Sequence, residues 1–185
     1  VGFAARPIGA AIFGHYGDRI GRKATLITTL LIMGIGTALI GVLPGFAAIG
    51  LAAPLLLTVL RLLQGVAVGG EIGGALLLVT ETLPAERRGF WAAWPMMGGA
   101  AGNLLSSGVL ALLGFALGEA AFAAWGWRLA FFASAALIGV GVWMRSRVAE
   151  SPVYRAYVER RHATAAPRLV PTLLAHWKSV LTVLL

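Results

Sequence analysis

The sequence predicts an all-α integral membrane protein with four complete spanning helices flanked by two partial ones. Three observations carry this. Hydrophobic residues make up 59% of the 185-residue chain and charged residues 12%, with a mean hydropathy of +0.87, whereas soluble domains carry about a quarter charged residues. Long uncharged runs recur at lengths that cross a bilayer as helices. The lysines and arginines behind the net charge of +8 gather in alternate segments between those runs. They therefore read as topology signals and not as a nucleic-acid surface.

Residues 1–14 close a first span, which carries Arg6 and Pro7. Positions 14–23 then hold one acid, Asp18, and three bases, Arg19, Arg22 and Lys23, among Gly14, Gly17 and Gly21. Such a cluster does not sit in hydrocarbon, so it reads as an aqueous hinge whose glycines let the backbone turn. Residues 24–43 are uncharged and make about 30 Å of helix. Pro44-Gly45 ends that run, and 44–54 is a charge-free loop. A span over 55–79 contains Arg61, Gln64 and Glu71, and 80–89 is a second polar hinge with Glu81, Pro84, Glu86, Arg87 and Arg88.

The uncharged run 90–115 opens with Trp91 and Trp94 at interfacial depth. A loop at 116–127 carries Glu119, a span at 128–144 follows, and 145–175 is a long polar stretch. A last span begins at His176, and both chain ends lie inside apolar segments, as in a piece of a longer protein. The loops 15–23, 80–89 and 145–175 hold most of the 15 lysines and arginines, while 44–54 and 116–127 hold none. The first set is accordingly cytoplasmic, in a multi-pass protein of a cell inner (plasma) membrane.

Ionisable residues inside apolar spans mark function. Arg6 lies about 12 Å in from Gly14 along its helix, and Glu71 about 15 Å in from Glu81, near the midplane. Arg61 is closer to the outer end, where it snorkels in part. Gln64 and Glu71 share one stripe, within about 20° of each other. Gly65, Gly69 and Gly73, and Gly70 and Gly74, recur at spacing four, which lets neighbouring helices approach that stripe closely. Asn103 follows Gly98 and Gly102 in the next span and either faces the same cavity or bonds between helices. An ionised Glu71 is costly alone and stable beside a cation such as Arg6, so the pair forms a proton switch. Arg6 and Arg61 suit a carboxylate, which guanidinium grips bidentately.

The pattern of Gly14, Asp18, Arg19, Gly21, Arg22 and Lys23 resembles the loop between helices 2 and 3 of the major facilitator superfamily of transporters. The string from Arg61 through Gln64, Gly65, Gly69, Gly70 and Glu71 to Ala75 looks like helix 4 of its metabolite:proton symporter branch. Arg6-Pro7-Ile8-Gly9, Arg87-Arg88-Gly89-Phe90, Trp125-Gly126-Trp127-Arg128 and Glu150-Ser151-Pro152 look the same way, so the resemblance covers about 5–155.

The resemblance implies part of a twelve-helix major facilitator fold. Residues 1–146 would be the N-terminal bundle from the end of helix 2 to helix 6, 147–175 the central cytoplasmic loop and 176–185 the start of helix 7. It implies a monomeric carrier when full length, moving a small organic acid or compatible solute with a proton. Its cytoplasmic gate would be Gly14, Asp18, Arg19, Gly21, Arg22 and Lys23 together with Glu81, Arg87 and Arg88, with a helix N-terminus facing Asp18. The alternatives are a drug or metabolite exporter working by proton antiport, or a sugar porter, of the same superfamily.

Other classes lack their signatures. No cysteine is present, the histidines lie at or outside span ends, and no His/Cys/Asp cluster has metal spacing. No phosphate loop occurs, and no nucleophile–base pair suggests an enzyme. A cofactor, metal and catalytic residues are therefore not expected. Charged hinges at alternate loops suit a rocking carrier better than a static pore.

Overall fold

The computed structural model describes residues 2–161, all of them helical or in short connections. Seven α-helices follow one another: α1 Gly2–Ile20, α2 Arg22–Val42, α3 Phe46–Ile49, α4 Ala52–Thr82, α5 Ala85–Ala121, α6 Trp127–Arg147 and α7 Pro152–Arg161. A π-helical turn, Phe122–Gly126, joins α5 to α6. The runs Arg22–Val42, Ala52–Thr82 and Ala85–Arg147 are long and apolar enough to cross a membrane. An apolar solvent offers no partner to a bare backbone amide, so such runs fold as helices that satisfy their own hydrogen bonds. Residues 162–175 of the expected central loop, and the span expected at 176–185, lie outside the described residues.

The connections are shorter than the charge pattern suggests. The hinge expected across 14–23 is corrected to one residue: α1 runs through Gly14 and Gly17 to Ile20, and the chain turns at Gly21, with φ 102°. Polar side chains do not end a helix; loss of the backbone ladder does, and Gly21 N–H still bonds Gly17 O at 3.2 Å. The second hinge, expected over 80–89, shrinks to Leu83 and Pro84. Proline at that point lacks the N–H that a helix start leaves unpaired anyway. The loop expected at 44–54 holds the single turn α3, and α4 already starts at Ala52. The loop expected at 116–127 is helical except at Gly118, whose φ of 73° kinks the chain. Within 147–161, α7 replaces loop.

Helix α4 is the centre of the bundle. It packs against α1 on one side and α2 on the other, and α2 carries α6 on its far side. The α1–α4 contact is backbone to backbone: a β-carbon at Gly9 would collide with the Val66 carbonyl, and one at Gly69 with the Arg6 carbonyl. Close approach of this kind replaces the hydrophobic effect as the source of helix association in lipid. The expected glycine stripe divides. Gly65 and Gly69 face the α1 backbone, Gly70 and Gly74 face Phe13 and Leu26, and Gly73 has an open face. Helix α5 has no buried residue among those described and stands largely apart.

Candidate functional site

Two polar regions emerge. The first is a cavity of about 390 Å³ between α1, α2 and α4, lined by Phe3, Arg6, Met33, Thr37, Arg61 and Gln64. The α1–α4 contact brings Arg6 and Arg61 to the same space from different helices. The Arg6 guanidinium lies over the Phe3 ring, 3.8 Å from its centroid, an attraction of cation to ring face that leaves its N–H donors available. Arg61 Nη1 donates to Gln64 Oε1 at 3.3 Å, and Gln64 Nε2 donates to Thr37 Oγ1 at 2.8 Å. The cavity thus holds two cations, one amide and a hydroxyl against apolar walls, and no carboxylate among the described residues lines it.

Glu71 lies elsewhere. It forms an ion pair with Arg145 Nη2 on α6, whose Nη1 donates to the Leu26 carbonyl of α2 at 2.7 Å. Both side chains are about three-quarters buried. The expected pairing of Glu71 with Arg6 is therefore corrected, because α1 presents Arg6 to the cavity while α6 delivers Arg145 to Glu71. Asn103 is exposed on α5 and outside the cavity lining; its carbonyl accepts from Ser106 Oγ at 3.1 Å.

The second region is the basic end of the bundle, where α1 meets α2, α4 and α7. The Glu150 carboxylate caps α2: it accepts from the N–H groups of Arg22 at 3.1 Å, Lys23 at 3.3 Å and Ser151 at 3.0 Å. Carboxylates favour helix N-termini because free N–H groups and the helix dipole converge there. A β-carbon at Gly21 would push this carboxylate aside, and the positive φ of 102° favours glycine there. Arg22 bridges Asp18 at 2.8 Å and Glu81 at 3.2 Å. Glu81 also accepts from Ser151 Oγ at 2.6 Å, Lys23 Nζ donates to Ser146 O at 2.6 Å, and Tyr154 OH donates to Arg19 O at 2.9 Å.

The expected arrangement of this end is corrected in two respects. The carboxylate facing a helix N-terminus is Glu150, since Asp18 sits on α1, 58% exposed, and pairs one turn ahead with Arg22. Arg87 and Arg88 stand apart: Arg88 Nε donates to the nearby Leu83 O at 2.9 Å, and the Arg87 side chain forms no ion pair among the described residues. Gly14 lines a smaller, glycine-rich cavity of about 100 Å³ between α1, α2 and α4.

Sequence reasoning missed Thr37, Arg145, Glu150 and Ser151 as working residues. Ser151 had a readable signal, a helix cap followed by proline at the first helical position. Arg145 ends an apolar run and opens the polar stretch at 145–175, and nothing in the sequence ties it to Glu71.

Comparison with known proteins follows the same lines. The model of the family described as "Sugar (and other) transporter" matches residues 2–173. The chain is 46% identical over 167 residues to the inner membrane metabolite transport protein YhjE of Escherichia coli (strain K12), covering 90% of this chain and 38% of that protein. It is 43% identical over 175 residues to the shikimate transporter of the same organism, covering 95% and 40%. Over 189 residues it is 40% identical to the glycine betaine/proline/ectoine/pipecolic acid transporter OusA of Dickeya dadantii (strain 3937), covering 98% and 38%. Among solved structures, the major facilitator superfamily proton:xylose symporter XylE bound to 6-bromo-6-deoxy-D-glucose superposes with a TM-score of 0.74 at 19% identity, over 83% of this chain and 34% of that one. The chain spans less than half the length of these relatives.

Proposed function

The chain belongs to the sugar (and other) transporter family, with the helical fold of the major facilitator superfamily, and on that premise we propose that it is part of a proton-coupled carrier for a small carboxylate-bearing metabolite. The substrate is an organic acid or a compatible solute, moved across the inner membrane by alternating access. The cavity that presents Arg6 and Arg61, with no carboxylate among its described lining residues, is the observation that supports this reading. Two guanidinium groups lining one cavity favour a carboxylate over a neutral sugar, while Phe3, Met33 and Val68 suit an apolar body. Gln64 gives a further polar contact, and Asn103 joins the site only when the rest of the protein covers α5.

In this scheme residues 1–146 belong to the N-terminal bundle, and the basic end faces the cytoplasm by the positive-inside rule. Gly14, Asp18, Arg19, Gly21, Arg22, Lys23 and Glu81 form the gate surface against the second half, with Arg87 and Arg88 at its margin. Glu71 carries the coupling proton, with Arg145 as its counter-ion.

The test uses the full-length protein in sealed vesicles. Uptake of shikimate, glycine betaine, L-proline and D-xylose is measured with and without an inward proton gradient. Gradient-driven accumulation of at least one carboxylate, and none of D-xylose, is expected. Accumulation of D-xylose alone, or uptake indifferent to the gradient, would overturn the reading.

A further inference from the structure

We propose that Thr37, on α2, is a positioning residue that aims the Arg61 guanidinium into the cavity. Each link in the chain has one available polarity. The Thr37 hydroxyl has a single proton, and it is committed to the Met33 carbonyl at 2.8 Å within its own helix. Toward α4 the hydroxyl oxygen therefore only accepts. The group it faces must be the NH2 end of the Gln64 amide, at 2.8 Å. That fixes the amide, so its carbonyl end is the one turned to Arg61, at 3.3 Å. Arg61 has only donors, so it requires the same oxygen end of the amide.

Space enforces the same result. The neighbouring Gly36 lies against Gln64, where a β-carbon would come 3.2 Å from Cγ, so α2 moulds the side chain as well as bonding it. Gly36 and Thr37 together hold Gln64 against α2, and Gln64 holds Arg61, which is otherwise a long flexible cation on an exposed stretch of α4. A pre-aimed guanidinium loses less freedom on meeting a planar anion. Thr37 touches no substrate in this account; it sets how well Arg61 does.

The inference rests on the carboxylate reading for its consequence, but its geometry is tested separately. The probe is phenylglyoxal, a dicarbonyl whose carbonyl carbons are attacked by arginine guanidine nitrogens, applied to full-length protein in membrane vesicles with modified peptides quantified by mass spectrometry. Arg6 serves as the internal reference. Freeing Arg61 removes one side-chain hydrogen bond, so Thr37→Val should raise the Arg61-to-Arg6 labelling ratio roughly two- to tenfold. Thr37→Ser keeps the acceptor and should restore the wild-type ratio. Gln64→Leu should match Thr37→Val, and the double variant should be no faster than either.

An unchanged ratio in Thr37→Val, a serine variant that behaves like valine, or additive effects in the double variant each overturn the proposal. Protection of Arg61 by shikimate, L-proline or glycine betaine bears on the carboxylate reading alone, so the two ideas can fail separately.

Discussion

The cavity and the basic end both place charges of α1 and α4 against α2, yet they treat those charges in opposite ways. At the basic end most groups are committed, Arg22 Nε being the one buried side-chain nitrogen without a hydrogen-bond partner among the described residues. Glu150 holds the N–H groups that open α2, Glu81 holds Arg22 and Ser151, and Lys23 is tied to the Ser146 carbonyl. In the cavity Arg6 rests on a ring face, and Arg61 makes one long bond to an amide. A densely bonded network fixes shape, whereas a sparsely bonded one retains affinity for something from outside. Mutations should therefore separate the two regions, costing stability at one and recognition at the other.

The largest effect is expected at Glu150. Glu150→Ala leaves the first N–H groups of α2 uncapped and should cost about 2–3 kcal/mol of stability, as charged hydrogen bonds do. Thermal melting of the full-length protein in detergent reads this as a lowered midpoint. A variant that melts like wild type would dissolve the contrast.

Arg61→Lys comes next. It keeps the charge but loses the planar fork, so KM for a transported carboxylate should rise about tenfold with the melting midpoint unchanged. Glu71→Gln is a third break. It mimics the neutral form and should abolish accumulation driven by a proton gradient while substrate exchange across the membrane persists. Accumulation still proportional to the gradient would leave Glu71 a structural tie between α4 and α6.

Asp18→Asn is expected to be smaller in stability. Its exposed pair with Arg22 contributes no more than about 0.5 kcal/mol, so melting should barely move, while transport should fall if the free face of Asp18 meets the second half of the carrier. Arg87→Ala, with no ion pair among the described residues, should change stability least, and the same melting series checks it.

How much of this was legible in the sequence follows the range of each interaction. The spans were readable because bilayer thickness imposes a local rule on runs such as 24–43. Their ends were misplaced because polar side chains near Ile20 or Thr82 do not break a helical ladder, and only Gly21 and Leu83-Pro84 do. Arg6, Arg61 and Gln64 were readable as charges and amides out of place in an apolar run, and the fold brings them to one cavity. Partners were not readable. Arg145 meets Glu71 across 74 positions of chain, and Glu150 meets Arg22 across 128; no periodicity encodes such pairings. Thr37 looked like one polar residue in an apolar helix, and its role appears only once Gln64 is placed opposite.

The central claim is that the cavity recognises a carboxylate through Arg61, and one ratio tests it most directly. In vesicles containing the full-length protein, initial uptake is compared for L-proline, or whichever of shikimate and glycine betaine is carried best, and for the methyl ester of that compound. The account predicts that the wild-type protein strongly prefers the free acid, and that Arg61→Gln lowers the preference about tenfold or more while the melting midpoint holds. A preference for the acid that survives Arg61→Gln unchanged would contradict it.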